Sequence, residues 1–374
     1  MKKYSRWFGA ALAMSALTLA ASSACADTVK IAVVGPMSGS NAQYGTYLRN
    51  GVELAAKDIN ASGAAGKHTI EVVVEDDQMD PKQAATVAQR LASAGDVFAV
   101  VGHFSSTSSL AAQPIYQRAG IGMISPSSTS PDLSNKPNFY RTAVTDDVVS
   151  TQLADYAVKR KGFKRIAVLF QTGTSTIAQA QIFAKRAKEL GAEVVLMEGH
   201  EPERVDFQAV VTSLRPLKPD LIFAATFAGE ASRIARQMRE AGITAPLMGT
   251  DALFDPQYVK LAGAAGEGTF AAAFFHENSK RPSANSFVKA YKAAYGQAPE
   301  GYAANAYDAT LLIGAALKEV GPDKAKLLDY LGSLGNGRAA FAGVTGNIGF
   351  NPDHNVRKNI QVVELKGGQF VPVE

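Results

Sequence analysis

Two clusters of small hydroxyl residues hold the chemistry in this chain. Val100-Val101-Gly102-His103-Phe104-Ser105-Ser106 runs on into Thr107-Ser108-Ser109, and Ile124-Ser125-Pro126-Ser127-Ser128-Thr129 follows it. In each, an apolar run stops where hydroxyls begin. Backbone N–H groups without partners gather where a strand ends and a helix starts, and they favour an anion. Ser and Thr also cap helices and turns with no ligand present. Two clusters behind neighbouring strands of one parallel sheet favour a site, because open α/β sheets bind ligands at the carboxyl ends of their strands. The pattern points to a pocket that holds a small carboxylate and does no chemistry on it.

Catalytic alternatives fail on spacing. Gly173-Thr174-Ser175-Thr176 runs into Ile177 and makes no nucleophile elbow. Gly63-Ala64-Ala65-Gly66-Lys67 runs into His68, which is not a phosphate loop, and Gly35-Pro36-Met37-Ser38-Gly39 lacks the dinucleotide fingerprint. His68, His103, His200, His276 and His354 show no metal-ligand spacing. No catalytic residue, metal or cofactor is expected. Glu75-Asp76-Asp77 ends a strand pattern ahead of a helix and reads as a solvated loop or cap rather than a carboxylate pair.

The elements that must position the clusters alternate. Residues 29–34, 70–74, 97–101 and 121–124 read as strands, with helical patterns over 44–59, 81–91 and 108–118 between them. Leu48, Val52, Ala55 and Ile59 fall on one helical face. The pattern restarts with helices over 147–160, 176–190, 207–214 and 229–241 and strands over 165–170, 193–197, 220–225, 246–249 and 268–273. Such alternation builds parallel sheets through βαβ crossovers, and two sets predict two sheets. Helical patterns over 283–295, 302–317 and 324–331 follow, then a turn near Thr345-Gly346-Asn347 and a last strand over 360–365.

The first 26 residues read as an address. Lys2, Lys3 and Arg6 precede an apolar stretch, and Ala24-Cys25-Ala26 is a small-residue cleavage site, so export to the periplasm with cleavage after Ala26 is expected. Lipidation at Cys25 is the weaker alternative, because Ser22 stands where a lipobox has Leu. Cleavage removes the only Cys and Trp and three basic residues, taking the formal charge from +4 to +1. A near-neutral surface gives no reason to expect nucleic acid or membrane as partner.

Val33-Val34-Gly35-Pro36-Met37-Ser38-Gly39 with Gln43-Tyr44-Gly45, then Asp58-Ile59-Asn60, Glu75-Asp76-Asp77 with Asp80-Pro81, Val101-Gly102-His103 and Ile124-Ser125-Pro126-Ser127-Ser128-Thr129 form an ordered set. Asp206-Phe207, Pro219-Asp220, Arg239-Glu240-Ala241-Gly242 and Tyr302-Ala303-Ala304-Asn305-Ala306-Tyr307-Asp308-Ala309 continue it. The set resembles the periplasmic leucine/isoleucine/valine-type solute-binding proteins of ABC importers. The resemblance implies a type I periplasmic binding fold: α/β, with two Rossmann-like lobes joined by three hinge crossings. Lobe 1 would take residues 27–146 and 276–352, and lobe 2 residues 147–275 and 353–374.

It also implies a monomeric receptor that closes on a small amino acid and passes it to a membrane permease. By resemblance, Ser106, Ser127 and Thr129 hold the ligand's carboxylate and ammonium, with Tyr44, Phe104 and Ser105 lining the same side. From the other lobe Phe227 covers the side chain and Asp251 binds the ammonium, while Tyr302 closes the pocket. Ser175 and Thr176 stand near where a Tyr-Gly pair is common, and Met79 and Ser105 where some members have a disulfide. An aromatic acid, an amide or another small polar solute is the alternative cargo, and an exported hydrolase a distant alternative.

Overall fold

The computed structural model describes residues 27–373, so the leader, Cys25 and the cleavage site lie outside the described residues. The chain opens with β1 (Asp27–Gly35), α1 (Ala42–Ser62), β2 (His68–Asp76), α2 (Pro81–Ala94), β3 (Val97–Gly102), α3 (Ser106–Arg118), β4 (Gly122–Ser125) and β5 (Phe139–Arg141). The five strands form a wholly parallel sheet in the order β2-β1-β3-β4-β5. Ile31, Ala32, Val33 and Val34 of β1 are all fully buried. A strand apolar on both faces belongs in the middle of a sheet covered by helices on both sides.

A second set follows: α4 (Asp146–Asp155), β6 (Arg165–Gln171), α5 (Thr174–Glu189), β7 (Glu193–His200), α6 (Gln208–Leu217), β8 (Leu221–Ala225), α7 (Ala228–Glu240), β9 (Leu247–Gly249), α8 (Pro256–Ala262) and β10 (Phe270–Ala273). The chain ends with α9 (Pro282–Tyr295), α10 (Gly301–Val320), α11 (Lys324–Ser333), the short pair β11 (Phe341–Ala342) and β12 (Asn347–Ile348), then β13 (Gln361–Lys366) and β14 (Gln369–Pro372). The second sheet has the order β14-β13-β10-β9-β8-β6-β7, parallel from β7 to β10 and antiparallel at β13 and β14.

The tail helices return to the first sheet. Ala306, Ala309, Leu312, Ile313 and Leu317 of α10 share a core with Leu48, Val52 and Ile59 of α1 and with Ile31 and Val33. The two helices approach closely at Gly51, where a Cβ would lie 2.3 Å from the Ala303 carbonyl oxygen. Gly51→Ala is expected to lose about 1–3 kcal/mol in urea unfolding; an unchanged midpoint would show that the helices part without cost. The chain thus passes between the sheets three times, through residues 142–145, 274–281 and 351–360. Beside these crossings the buried Asp308 carboxylate of α10 accepts from Val344 N (2.7 Å), Thr345 N (2.9 Å) and Thr345 Oγ1. Lys358 Nζ donates to Thr345 Oγ1 and to the Thr142 carbonyl.

Several sequence expectations are corrected. The helix expected over 147–160 is α4 from Asp146, which widens into a single π-turn over Tyr156–Arg160. The strand expected to be last is β13, and β14 follows it through Gly367-Gly368, both at positive φ. A two-residue hairpin turn with both residues at positive φ suits a Gly pair. Both β5 and α8 are additional elements, the latter capped by the Asp255 side chain. Asp77 is not in a solvated loop. It is fully buried, accepts at Oδ2 from His103 Nδ1 (2.7 Å) and at Oδ1 from Met79 N (2.9 Å), and His103 Nε2 meets the Tyr116 hydroxyl (3.1 Å).

Candidate functional site

The segments that follow β3 and β4 in one sheet and β6, β8 and β9 in the other line a single cavity of about 410 Å³. Phe104, Ser105, Ser106, Ser127, Thr129, Ser175, Phe227, Asp251 and Tyr302 all line it. Tyr44 does not: its fully buried ring stacks behind Phe104, with centroids 4.6 Å apart, and its hydroxyl accepts from Ala228 N (3.4 Å). It supports the wall instead of forming it. Phe227 lies 6.1 Å from Phe104 and Tyr302 5.0 Å from it edge-on, so one aromatic cluster spans both sheets.

On the first-sheet side, Ser105 caps α3 by accepting from Ser108 N (3.1 Å), leaving Ser106 at the start of the helix. Ser106 Oγ accepts from Thr129 N (3.2 Å) and Ser130 N (3.1 Å). Both acceptor positions of that hydroxyl are thereby used, and its proton remains to be donated. Beside a helix N-terminus, this arrangement suits a carboxylate. The Ser127 hydroxyl is committed elsewhere, donating to the Phe104 carbonyl (2.8 Å).

The opposite wall is acidic. Asp251 follows β9 and its carboxylate accepts from the Tyr302 hydroxyl; enclosure by protein lifts it to about 7 against that bond, and Asp146 adds to the rise. Among the described residues, Asp80, Glu203 and Asp251 are the charged ones that line the cavity, and no Lys, Arg or His lines it. Asp80 caps α2, and Glu203 is engaged by the Ser40 hydroxyl. Asp251 is answered only by neutral donors, the Tyr302 hydroxyl and its own backbone N–H.

A family model described as "Periplasmic binding protein" matches residues 28–369. This chain belongs to the periplasmic binding protein family. A "Leucine-, isoleucine-, valine-, threonine-, and alanine-binding protein" of Pseudomonas aeruginosa is 31% identical over 357 residues, covering 94% of this chain and 92% of the relative. The branched-chain amino acid transporter substrate-binding protein LivJ of Streptococcus pneumoniae, in complex with isoleucine, superposes with a TM-score of 0.85 at 28% identity, covering 93% of this chain and all of the other. A solute-binding protein of Rhodopseudomonas palustris in complex with benzoate superposes at 0.84 with 25% identity, covering 92% of this chain and 95% of the other.

Two residues of this periplasmic binding protein escaped the sequence reading. Asp146, the first residue of α4, is fully buried, and burial pushes its carboxyl up to about 6 against hydrogen bonds from Thr129, Gln179 and Ser175. Its position reads as an ordinary acidic residue at a helix start. Gln179 stands four residues beyond Ser175 on α5 and so shares its face. Its amide donates to Asp146 Oδ1 (2.8 Å) and Ser175 Oγ (3.1 Å). The binding protein is also sewn together across the cleft. Thr129 Oγ1 meets Ser175 Oγ (2.8 Å), Thr107 Oγ1 meets Thr174 Oγ1 (3.1 Å), and Gln43 bonds Gln257.

Proposed function

We propose that this protein captures a small α-amino acid between its two sheets and delivers it to the membrane permease of an ABC importer. Its lobes, residues 27–146 with 276–352 and 147–275 with 353–374, close about the three crossings as a monomeric receptor in the periplasm, after cleavage at Ala26. The observation that carries the reading is the Asp251 carboxylate, facing a cavity with no basic lining residue among the described residues, opposite the donors of Ser106 and α3. A zwitterion answers both walls at once. Phe104, Phe227 and Tyr302 surround what remains of the ligand, which suits an aliphatic side chain. The names of the relatives, above all leucine, isoleucine, valine and threonine, make the branched-chain amino acids the leading cargo. An aromatic acid such as the benzoate of one neighbour is the alternative. It would meet Asp251 as one anion meeting another, or as a ring beside a carboxylate with no cation. No step of this reading needs a reaction.

The test is a thermal-shift panel of amino acids, aromatic acids and amides at pH 5.5 and pH 8, on the protein lacking residues 1–26. Ligand at 100 times its Kd adds about 2.7 kcal/mol. In the ligand-free protein Asp251 keeps its proton more tightly folded than unfolded, so its contribution is fully present below the usual carboxylate range and is lost as pH rises through about 7. Ammonium binding restores it. The shift given by leucine, isoleucine or valine is therefore expected to be larger at pH 8 than at pH 5.5. Response to benzoate with none to any α-amino acid would transfer the site to the alternative.

A further inference from the structure

We infer that Gln179 is a third acceptor for the ligand's ammonium group, alongside Asp251 and Thr129. The inference rests on the amino-acid reading above and adds to it a residue and a reason for the hydroxyl-amide chain across the cleft.

Gln179 lines the cavity and is 6% exposed. The direction of its amide is decided by its neighbours. The nitrogen sits 2.8 Å from Asp146 Oδ1 and 3.1 Å from Ser175 Oγ. Turning the amide over would set its oxygen against a carboxylate, lone pair to lone pair, and forfeit both bonds. The oxygen must therefore be the atom that faces away from Asp146, and Gln179 Oε1 is buried with no hydrogen-bond partner among the described residues. Buried polar atoms are as a rule satisfied, so this one is an acceptor awaiting a donor.

The rest of the chain fixes which donor. Ser175 Oγ lies 2.8–2.9 Å from both Asp146 carboxylate oxygens and gives its proton to them. It accepts from Gln179 and lies 2.8 Å from Thr129 Oγ1. With its own proton spent on Asp146, Ser175 is an acceptor toward Thr129, whose single proton goes into this pair, to Ser175 or to Asp146. Thr129 then has only acceptor capacity left for the cavity. Asp251, which the Tyr302 hydroxyl and its own backbone N–H meet, is likewise an acceptor. Three acceptors of this kind match the three N–H bonds of an ammonium, whereas a ligand carboxylate placed among them would find no proton. The head group is thus oriented: ammonium toward Thr129, Gln179 and Asp251, carboxylate toward Ser106 and the start of α3. Asp146 has no contact of its own with the ligand in this scheme; it is a positioning residue that aims Gln179.

The experiment is a cycle between protein and ligand. Kd values of the wild type and of Gln179→Met are measured for L-leucine, L-isoleucine, L-valine and L-threonine and for their des-amino carboxylates, the weaker ligands by competition. Loss of one hydrogen bond to a charged group corresponds to roughly 10- to 100-fold. The variant is expected to lose that factor for the amino acids and little for the des-amino acids. Equal losses on both series would mark Gln179 as structural and overturn the inference, as would no loss on either. Gln179→Asn keeps an amide but withdraws the oxygen, and serves if the Met variant does not fold; the same selective loss is expected. Failure of the wild type to bind any of the four amino acids would instead defeat the amino-acid reading itself, a result visible before any variant is made.

Discussion

Asp251→Ala is expected to cost about 3 kcal/mol of amino-acid affinity, roughly 150-fold, when binding is followed by calorimetry at pH 8. Among the described residues no cation stands beside this carboxylate on the cavity wall, and only neutral donors, the Tyr302 hydroxyl and its own backbone N–H, answer its charge. Without it, a desolvated ammonium is left to neutral acceptors. Asp251→Asn separates charge from shape, and it carries a second expectation of opposite sign. Enclosure lifts this carboxyl to about 7, so at pH 8 the ligand-free protein holds an ionised group it would prefer to protonate. The Asn variant is therefore expected to melt higher than wild type when ligand-free at pH 8, to show little difference at pH 5.5, and to bind far more weakly. A site that destabilises its own fold in order to receive a cation has this signature. Unchanged affinity in Asp251→Ala would remove the ammonium role from the residue.

The second large effect is on stability. Asp77→Ala would leave the fully buried His103 ring without its Nδ1 partner and Met79 N without its acceptor. Breaking one member of a buried pair of this kind costs about 3–5 kcal/mol, which in a protein of this size lowers Tm by on the order of 10 °C. Chemical unfolding of Asp77→Ala, His103→Leu and the double variant tests the coupling. The double variant is expected to lose clearly less than the two singles combined. Additive losses would mean that Asp77 and His103 contribute separately. His103 immediately precedes Phe104 and Ser105, so the pair also anchors a segment that lines the cavity.

The alternation of strands and helices was legible because parallel strands buried on both faces read as short apolar runs, and β1 is fully buried from Ile31 to Val34. The hydroxyl clusters were legible for the same reason: they stand where those runs stop. What escaped was decided by tertiary contact. Nothing in Thr145-Asp146-Asp147 separates a solvent-facing helix acid from one turned into the protein beneath Ser175 and Gln179. Tyr44 was placed on the wall when it stands behind it, since the resemblance supplies a neighbourhood and not the order of rings within a stack. Asp77 was read as solvated because its partner, His103, lies on another strand's exit and no local spacing connects them. The Gly367-Gly368 pair, both at positive φ, is itself a local signal for the hairpin between β13 and β14.

Ser40 to Glu203, Gln43 to Gln257, Thr107 to Thr174 and Thr129 to Ser175 are direct bonds from protein to protein across the cleft. Closure therefore has a driving force of its own. Each molecule that shuts before capturing cargo is withdrawn from the pool that can, and the apparent Kd is the intrinsic one divided by the fraction still open. A shut but unloaded receptor also offers a transporter the same outer contour as a loaded one. The clasp thus sets two quantities in opposition: how sparse a solute the cell can scavenge, and how often its pump is summoned for nothing.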